Sequence, residues 1–226
     1  MSGLRERKKA ETRAALSWAA IRLTVTRGFD NVLVEEIAQA AGVSPRTFNN
    51  YFSSKAEAIA FRHLDRSRRV AEALRRRPAD EPLWAALTEA TLTRFAPGPE
   101  VAQAPPSPHA EWVDGLAVML AEPALQGEML RASAIAEADL AAAVAERTGT
   151  DPERDLYPQL VAASVIAAVN AAIRHFLRAD PPVAMERLLP DALTQLAAGL
   201  PASTPPAPTP PAPTPPAPTP PAPTPR

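Results

Sequence analysis

Arg46, Asn49 and Asn50 stand at i, i+3 and i+4, so a helix through them carries a guanidinium and two carboxamides on one face. Arginine matches the O6 and N7 acceptors of guanine, and asparagine both donates to and accepts from adenine, so this trio suits base edges in the major groove of duplex DNA. Ser44, Thr47, Tyr51 and Lys55 flank it. Their hydroxyls and ammonium can hold backbone phosphates, which fixes register without reading sequence. Phe48 and Phe52, four residues apart, are expected on the opposite face, packed with Ile37, Ala41 and Val43.

Catalytic chemistry finds no comparable grouping. His63, His109 and His175 lack the H-E-x-x-H spacing of a metal site, and there is no phosphate loop or nucleotide-binding glycine pattern. The absence of cysteine excludes a disulfide scaffold, thiolate metal sites and a thiol nucleophile, and fits a reducing cytosol. The expectation is a protein that is not an enzyme, with no metal and no cofactor.

The elements that must position the trio are legible as punctuation. Leu16, Ala19, Ala20 and Leu23 form an apolar stripe on a helix over about Leu4 to Arg27, which Gly28 can end. A short helix over Val34 to Ala41 stops at Gly42. Ser44-Pro45 then supplies an N-cap and a first-turn proline for a helix over Pro45 to Tyr51. Ser54 and Glu57 form a capping box that opens a fourth helix, Lys55 to Arg77, closed by Pro78. Two short helices joined across Gly42-Val43-Ser44 are the pattern of a helix-turn-helix.

Beyond Pro78 the pattern remains helical and nothing alternates like a strand. Helices are expected at about Glu81 to Phe95, His109 to Ala121, Ala124 to Arg147, Leu156 to Arg178 and Met185 to Gly199, with a loop from Ala96 to Pro108. The fold class expected is all-α: a three-helix head, a connecting helix and a helical-bundle body, about nine helices in all. The expected divisions are 1–54, 55–77 and 78–200, followed by a tail at 201–226.

In 226 residues, 46% are apolar and 22% charged, with 24 basic against 25 acidic side chains, as in a soluble globular protein. The near-neutral total hides an asymmetry. Residues 1–77 carry 16 Lys/Arg and 8 Asp/Glu, whereas 78–226 carry 8 and 17, so only the first part is suited to a polyanion. Fourteen of the 28 prolines lie from Pro201 to Pro225, where Pro-Pro-Ala-Pro-Thr repeats four times. That tail is expected to sample polyproline II as a disordered spacer. The longest nearly apolar run, Leu160 to Ile173, is short for a bilayer, and the charged N-terminus lacks the core of a secretory signal, so neither a membrane span nor export is expected.

The residues Gly28-Phe29, Val34 through Ser44, Arg46 through Phe52 and Ser54-Lys55 resemble the DNA-binding signature of the TetR family of bacterial transcriptional regulators, a likeness covering residues 12–61. The resemblance implies a three-helix reading head, a connecting helix, a helical ligand-binding body and a cytoplasmic homodimer whose affinity for operator DNA falls when a small effector binds. Two positions depart from the pattern. Leu33 stands where the family often has a capping Thr, leaving either Asn31 as the cap or a weakly capped helix; Asn49 stands where an aromatic is common.

The body is similar to relatives that bind acyl-CoA-like ligands, including mycofactocin-associated regulators, through Leu120 to Leu125, Leu130 to Ala132, Asp155 to Pro158 and Arg174 to Leu177. From the residues, Trp84, Leu87, Trp112, Leu116 and Met119 supply apolar bulk for a cavity or for an ordinary core, with Arg131, Asn170, Arg174 and His175 as candidate polar anchors. Ala162, Ala163, Ala167, Ala168, Ala171 and Ala172 allow close helix packing, at a dimer interface or within one chain. A helical adaptor using the proline-rich tail is the alternative to DNA regulation.

Overall fold

The computed structural model describes residues 2–95, 109–179 and 183–200, without the side chains of 2, 109–112, 114 and 115. The expected 96–108 loop, the 201–226 tail and the Trp112 side chain lie outside the described residues. Every regular element among those residues is helical, as the sequence pattern predicts: α1 (Ser2–Arg27), α2 (Val34–Ala40), α3 (Pro45–Asn49), α4 (Lys55–Arg76), α5 (Leu83–Leu92), α6 (His109–Leu120), α7 (Pro123–Thr148), α8 (Leu156–Phe176) and α9 (Met185–Ala197).

Local chemistry sets the boundaries. Gly28 at φ 81° and Gly42 at φ 70° turn the chain after α1 and α2 in a conformation that a Cβ disfavours. Ser44 Oγ accepts from Thr47 N at 3.2 Å and Pro45 opens α3. That helix ends two residues before the expected Tyr51. Tyr51 N donates to Phe48 O at 2.8 Å, an i to i−3 bond that tightens the last turn. The expected fifth helix begins only after Pro82 and closes as a single 3-10 turn at Thr93–Phe95.

The capping of α2 settles the alternative left open by Leu33. Asn31 Nδ2 donates to Arg27 O at 2.8 Å, so Asn31 closes α1 instead of opening α2. Leu33 is the N-cap without a side-chain bond, and the Glu36 carboxylate accepts from Leu33 N at 2.9 Å. At α4, Ser54 Oγ accepts from Glu57 N at 3.0 Å, but the Glu57 carboxylate reaches back one residue further than a capping box requires, to Ser53 N and Ser53 Oγ at 2.7 Å each.

Helix α4 is the spine, packed against α1, α5 and, most extensively, α7. The head core contains Leu16, Val32, Ile37, Phe48, Phe52 and Ile59, and it continues into the body through Met119, Leu125 and Ala132. A second core joins Val70 and Leu74 to Leu87, Leu140, Val144, Val165 and Leu193. Head and body therefore share an apolar joint at α1, α4, α6 and α7.

The Leu160 to Ile173 run lies within α8, a helix of 21 residues that by length and composition alone is long enough to cross a membrane. It is also a core helix: Val161, Ala162, Val165, Ala168, Val169 and Ala172 are buried in packing with α7 and α9. Its other sides remain open, with Leu156, Tyr157 and Leu160 exposed.

Candidate nucleic-acid interface

Helix α3 is held from beneath by its aromatics. Phe48 is fully buried and Phe52 nearly so, their ring centroids 5.8 Å apart, and Phe52 continues to Phe61 at 5.6 Å. Arg13 lies against the last two rings, 4.2 Å from the Phe61 centroid and 5.3 Å from that of Phe52. Such rings attract a cation through their negative faces. With one face fixed this way, Arg46, Asn49 and Asn50 are left exposed on the other.

The flanking residues divide. Ser44 is exposed and Thr47 half-buried, their hydroxyl oxygens 2.9 Å apart, while Tyr51 is half-buried against the head core. Lys55 is turned inward. Its Nζ donates to Phe29 O at 2.5 Å and Val32 O at 3.0 Å and lies 4.2 Å from the Phe29 ring centroid. The structure thus assigns Lys55 to the α1–α2 loop, because three partners converge on the ammonium there. The Lys55 and Arg13 anchors escaped sequence reading because both depend on residues distant in the chain.

The electrostatics of the head follow from its caps. The Glu36 carboxyl is held below its ordinary range by the Leu33 N–H bond and then, against some desolvation, by Arg27, whose guanidinium is 2.8 Å away. Desolvation works to raise Glu57, but the Ser53 bonds prevail and hold it low, helped by the charges of Arg131 and Arg13. Arg131 lies 4.0 Å from Glu57 and 2.8 Å from Glu128, bridging α7 to the start of α4.

The residues expected to line one effector cavity are not gathered in one place. Leu87 is buried and Trp84 partly buried in the second core, whereas Met119 and Leu116 pack with the head core. Arg131 is exposed and paired with Glu128. Arg174 and His175 are exposed at an open hollow of α8 with Ala171, Arg178 and Ala179. Asn170 is half-buried on the same helix. The cause is geometric: α5 packs against α4 and α9, whereas α6 packs against α1 and, less extensively, α7, so residues that look alike in sequence enter different cores.

A buried polar chain crosses the body instead. Arg94, 5% exposed, donates from Nη1 to Ser67 Oγ and from Nη2 to His63 Nδ1 at 2.8 Å. His63 Nε2 is 2.9 Å from Ser133 Oγ on α7. Because a guanidinium cannot accept, Nδ1 must be the acceptor, so His63 is neutral and carries its proton on Nε2. Burial, and then the Arg94 charge, push its pKa down to about 3. No group of three or more metal-ligating side chains occurs among the described residues.

A basic amino-terminal helix-turn-helix, locked beneath and open above, mounted on a helical body, defines a DNA-binding regulator. Residues 18–59 match the family described as bacterial regulatory proteins, tetR family, and residues 81–201 match the MftR C-terminal domain. The chain belongs to the TetR family of transcriptional regulators. It is 35% identical over 189 residues to the HTH-type transcriptional regulator TcmR of Streptomyces glaucescens, covering 79% of each protein. Its fold is similar to that of a TetR-family regulator from Rhodococcus sp. (TM-score 0.54, 22% identity, 84% of this chain and 98% of that one). It is also similar to the fatty acid degradation regulator FadR from Bacillus halodurans (TM-score 0.56, 16% identity, 85% and 97%). These relatives are regulators, not enzymes.

Proposed function

We propose that the chain is a cytoplasmic repressor that binds a pseudo-palindromic operator as a homodimer and is released by a small amphipathic effector. The observation that carries this reading is the exposed Arg46, Asn49 and Asn50 face over the buried Phe48 and Phe52. Arg46 and the two asparagines read base edges; Ser44, Thr47 and Tyr51 hold phosphates. Lys55 keeps the loop beneath them in place.

Dimerisation is assigned to α8 and α9. Ala167 and Ala171 are exposed on α8, and a shallow groove of about 540 Å³ between the two helices is lined by Ser164, Leu188, Asp191 and Leu196, among others. Small residues let a second copy approach closely, and an isologous contact places two heads with twofold symmetry. Half-sites on B-DNA recur about 34–36 Å apart, so displacing α4 by a few ångströms separates the heads from that spacing. The fatty-acid regulator among the fold neighbours is in keeping with an amphipathic, acyl-CoA-like effector.

Footprinting on the DNA upstream of the chain's own gene tests this reading, with protection of a pseudo-palindrome expected. The apparent binding constant should fall steeply with salt, as counterions are displaced from phosphates. Protection of a single asymmetric half-site by a monomer would overturn it.

A further inference from the structure

Helix α1 is longer than the head needs. Arg13 rests on Phe52 and Phe61 at the edge of the head core, whereas residues 3–11 before it are exposed throughout. A helix is held in water mainly by the face it buries, and this stretch buries no residue against the described chain. Its charges are Arg5, Arg7, Lys8 and Lys9 against Glu6 and Glu11.

Those charges are sorted by face. Arg7 pairs with Glu11 at 3.4 Å on one side. Arg5, Lys8 and Lys9, at i, i+3 and i+4, share another, with Glu6 at its edge, and among the described residues no carboxylate pairs with the three. The three cations stand eleven positions, about three turns, before Leu16, Ala19 and Ala20, which are buried. They therefore continue the side of α1 that packs on the rest of the head, past the point where the head ends. Phe52, at that edge, comes three residues after the end of α3, so the cationic stripe leaves the head beside the carboxy-terminal end of α3.

We propose that Arg5, Lys8 and Lys9 form a second DNA-contacting surface, which holds phosphates of the duplex flanking the base pairs that α3 reads. The proposal rests on the DNA-binding reading above and adds residues outside the helix-turn-helix. From Arg13 to Arg5 the axis runs about 12 Å, the length of three to four base pairs at about 3.4 Å each. Side-chain cations hold phosphates without reading base edges, so this arm contributes affinity and salt dependence but no sequence preference. Continuity with the exposed face of α3 commits the stripe to the same duplex, not to a separate polyanion.

The test uses the full chain and two duplexes cut from the footprinted DNA upstream of its own gene. One ends at the outermost base pair whose substitution changes affinity; the other extends about ten base pairs, one helical turn, further on each side. Arg5→Gln, Lys8→Gln and Lys9→Gln together are expected to weaken binding to the extended duplex at least tenfold at about 0.15 M salt. The log–log salt slope should become shallower by about 0.9 for each phosphate lost, roughly 2 to 3 per arm. On the trimmed duplex the loss should stay under about twofold. Arg5→Lys, Lys8→Arg and Lys9→Arg together, which keep the charges and exchange the head groups, should retain wild-type affinity and slope on both. An unchanged slope in the glutamine variant, or an equal loss on the two duplexes, overturns the proposal. So does a melting temperature several degrees lower in that variant, which would show the stripe packed on its own chain. A wild type that leaves no footprint defeats the regulator reading as well; wild-type binding that the glutamines leave intact defeats the arm alone.

Discussion

Arg46 within α3 and Lys55 at the start of α4 are both basic and nine positions apart, yet their surroundings separate them. Arg46 is exposed, while the Lys55 ammonium meets two loop carbonyls and the Phe29 ring. Arg46→Ala is therefore expected to cost about 1–3 kcal/mol of binding and to relax preference at particular base pairs, read by competition against single-site operator variants. Lys55→Met should leave the salt dependence of binding unchanged and lower the unfolding free energy by about 1–3 kcal/mol, because two carbonyls lose their donor. A salt slope reduced by one in Lys55→Met would return that residue to the phosphates.

At the scale of elements, α4 and α7 are joined by both apolar and polar contacts. Arg68 pairs with Asp139 at 2.9 Å and Arg75 takes Glu146 through two bonds at 2.8 and 2.9 Å. These pairs are partly exposed and each contributes no more than about 1 kcal/mol. The His63–Ser133 link is shielded and has a different pH signature. With a folded pKa of about 3 against an ordinary 6.5, the unfolded chain binds the proton first. His63 therefore leaves stability untouched above pH 6.5 and lowers it as the pH falls from 6.5 towards 3. Between pH 7 and pH 5 the loss assigned to this residue is about 2 kcal/mol. His63→Gln should abolish that increment in urea titrations at the two pH values; an equal loss in both proteins would show that carboxylates alone set the acid response.

For the whole molecule, the expected partner is a second copy. Ala171→Arg, which places a bulky charge on the open side of α8, should convert the dimer to monomer in sedimentation and weaken operator binding through loss of the paired heads, without unfolding the chain. Persistent dimers would move the interface elsewhere. Deleting 201–226 should leave melting temperature and operator affinity nearly unchanged, because this composition of proline, alanine and threonine has no large apolar side chain to bury. Coupling between effector and operator is reciprocal. A 100-fold release requires about 2.7 kcal/mol, and operator must weaken effector binding by the same factor.

The sequence by itself determined the helices and the exposed polar face of α3, because these depend on neighbours within about four residues. Ser44-Pro45 and Gly42 punctuate α2 and α3, and the Phe48 and Phe52 spacing dictates which way Arg46, Asn49 and Asn50 face. The cap of α2, left open between Asn31 and a weak cap, proved to be the weak one, and at α4 the Glu57 carboxylate differs from the expected box by a single neighbouring residue. Tertiary structure decided every question that joins distant residues. It turned Lys55 back onto residues 23 and 26 positions earlier, split Trp84 and Leu87 from Leu116 and Met119, and left Arg174 and His175 on the surface. It also brought together His63, Ser67, Arg94 and Ser133, which share no spacing or motif. A helical period specifies which side of a helix is apolar, but not which other helix covers it; that choice is made only when α4 and α7 pack and bury the rest between them.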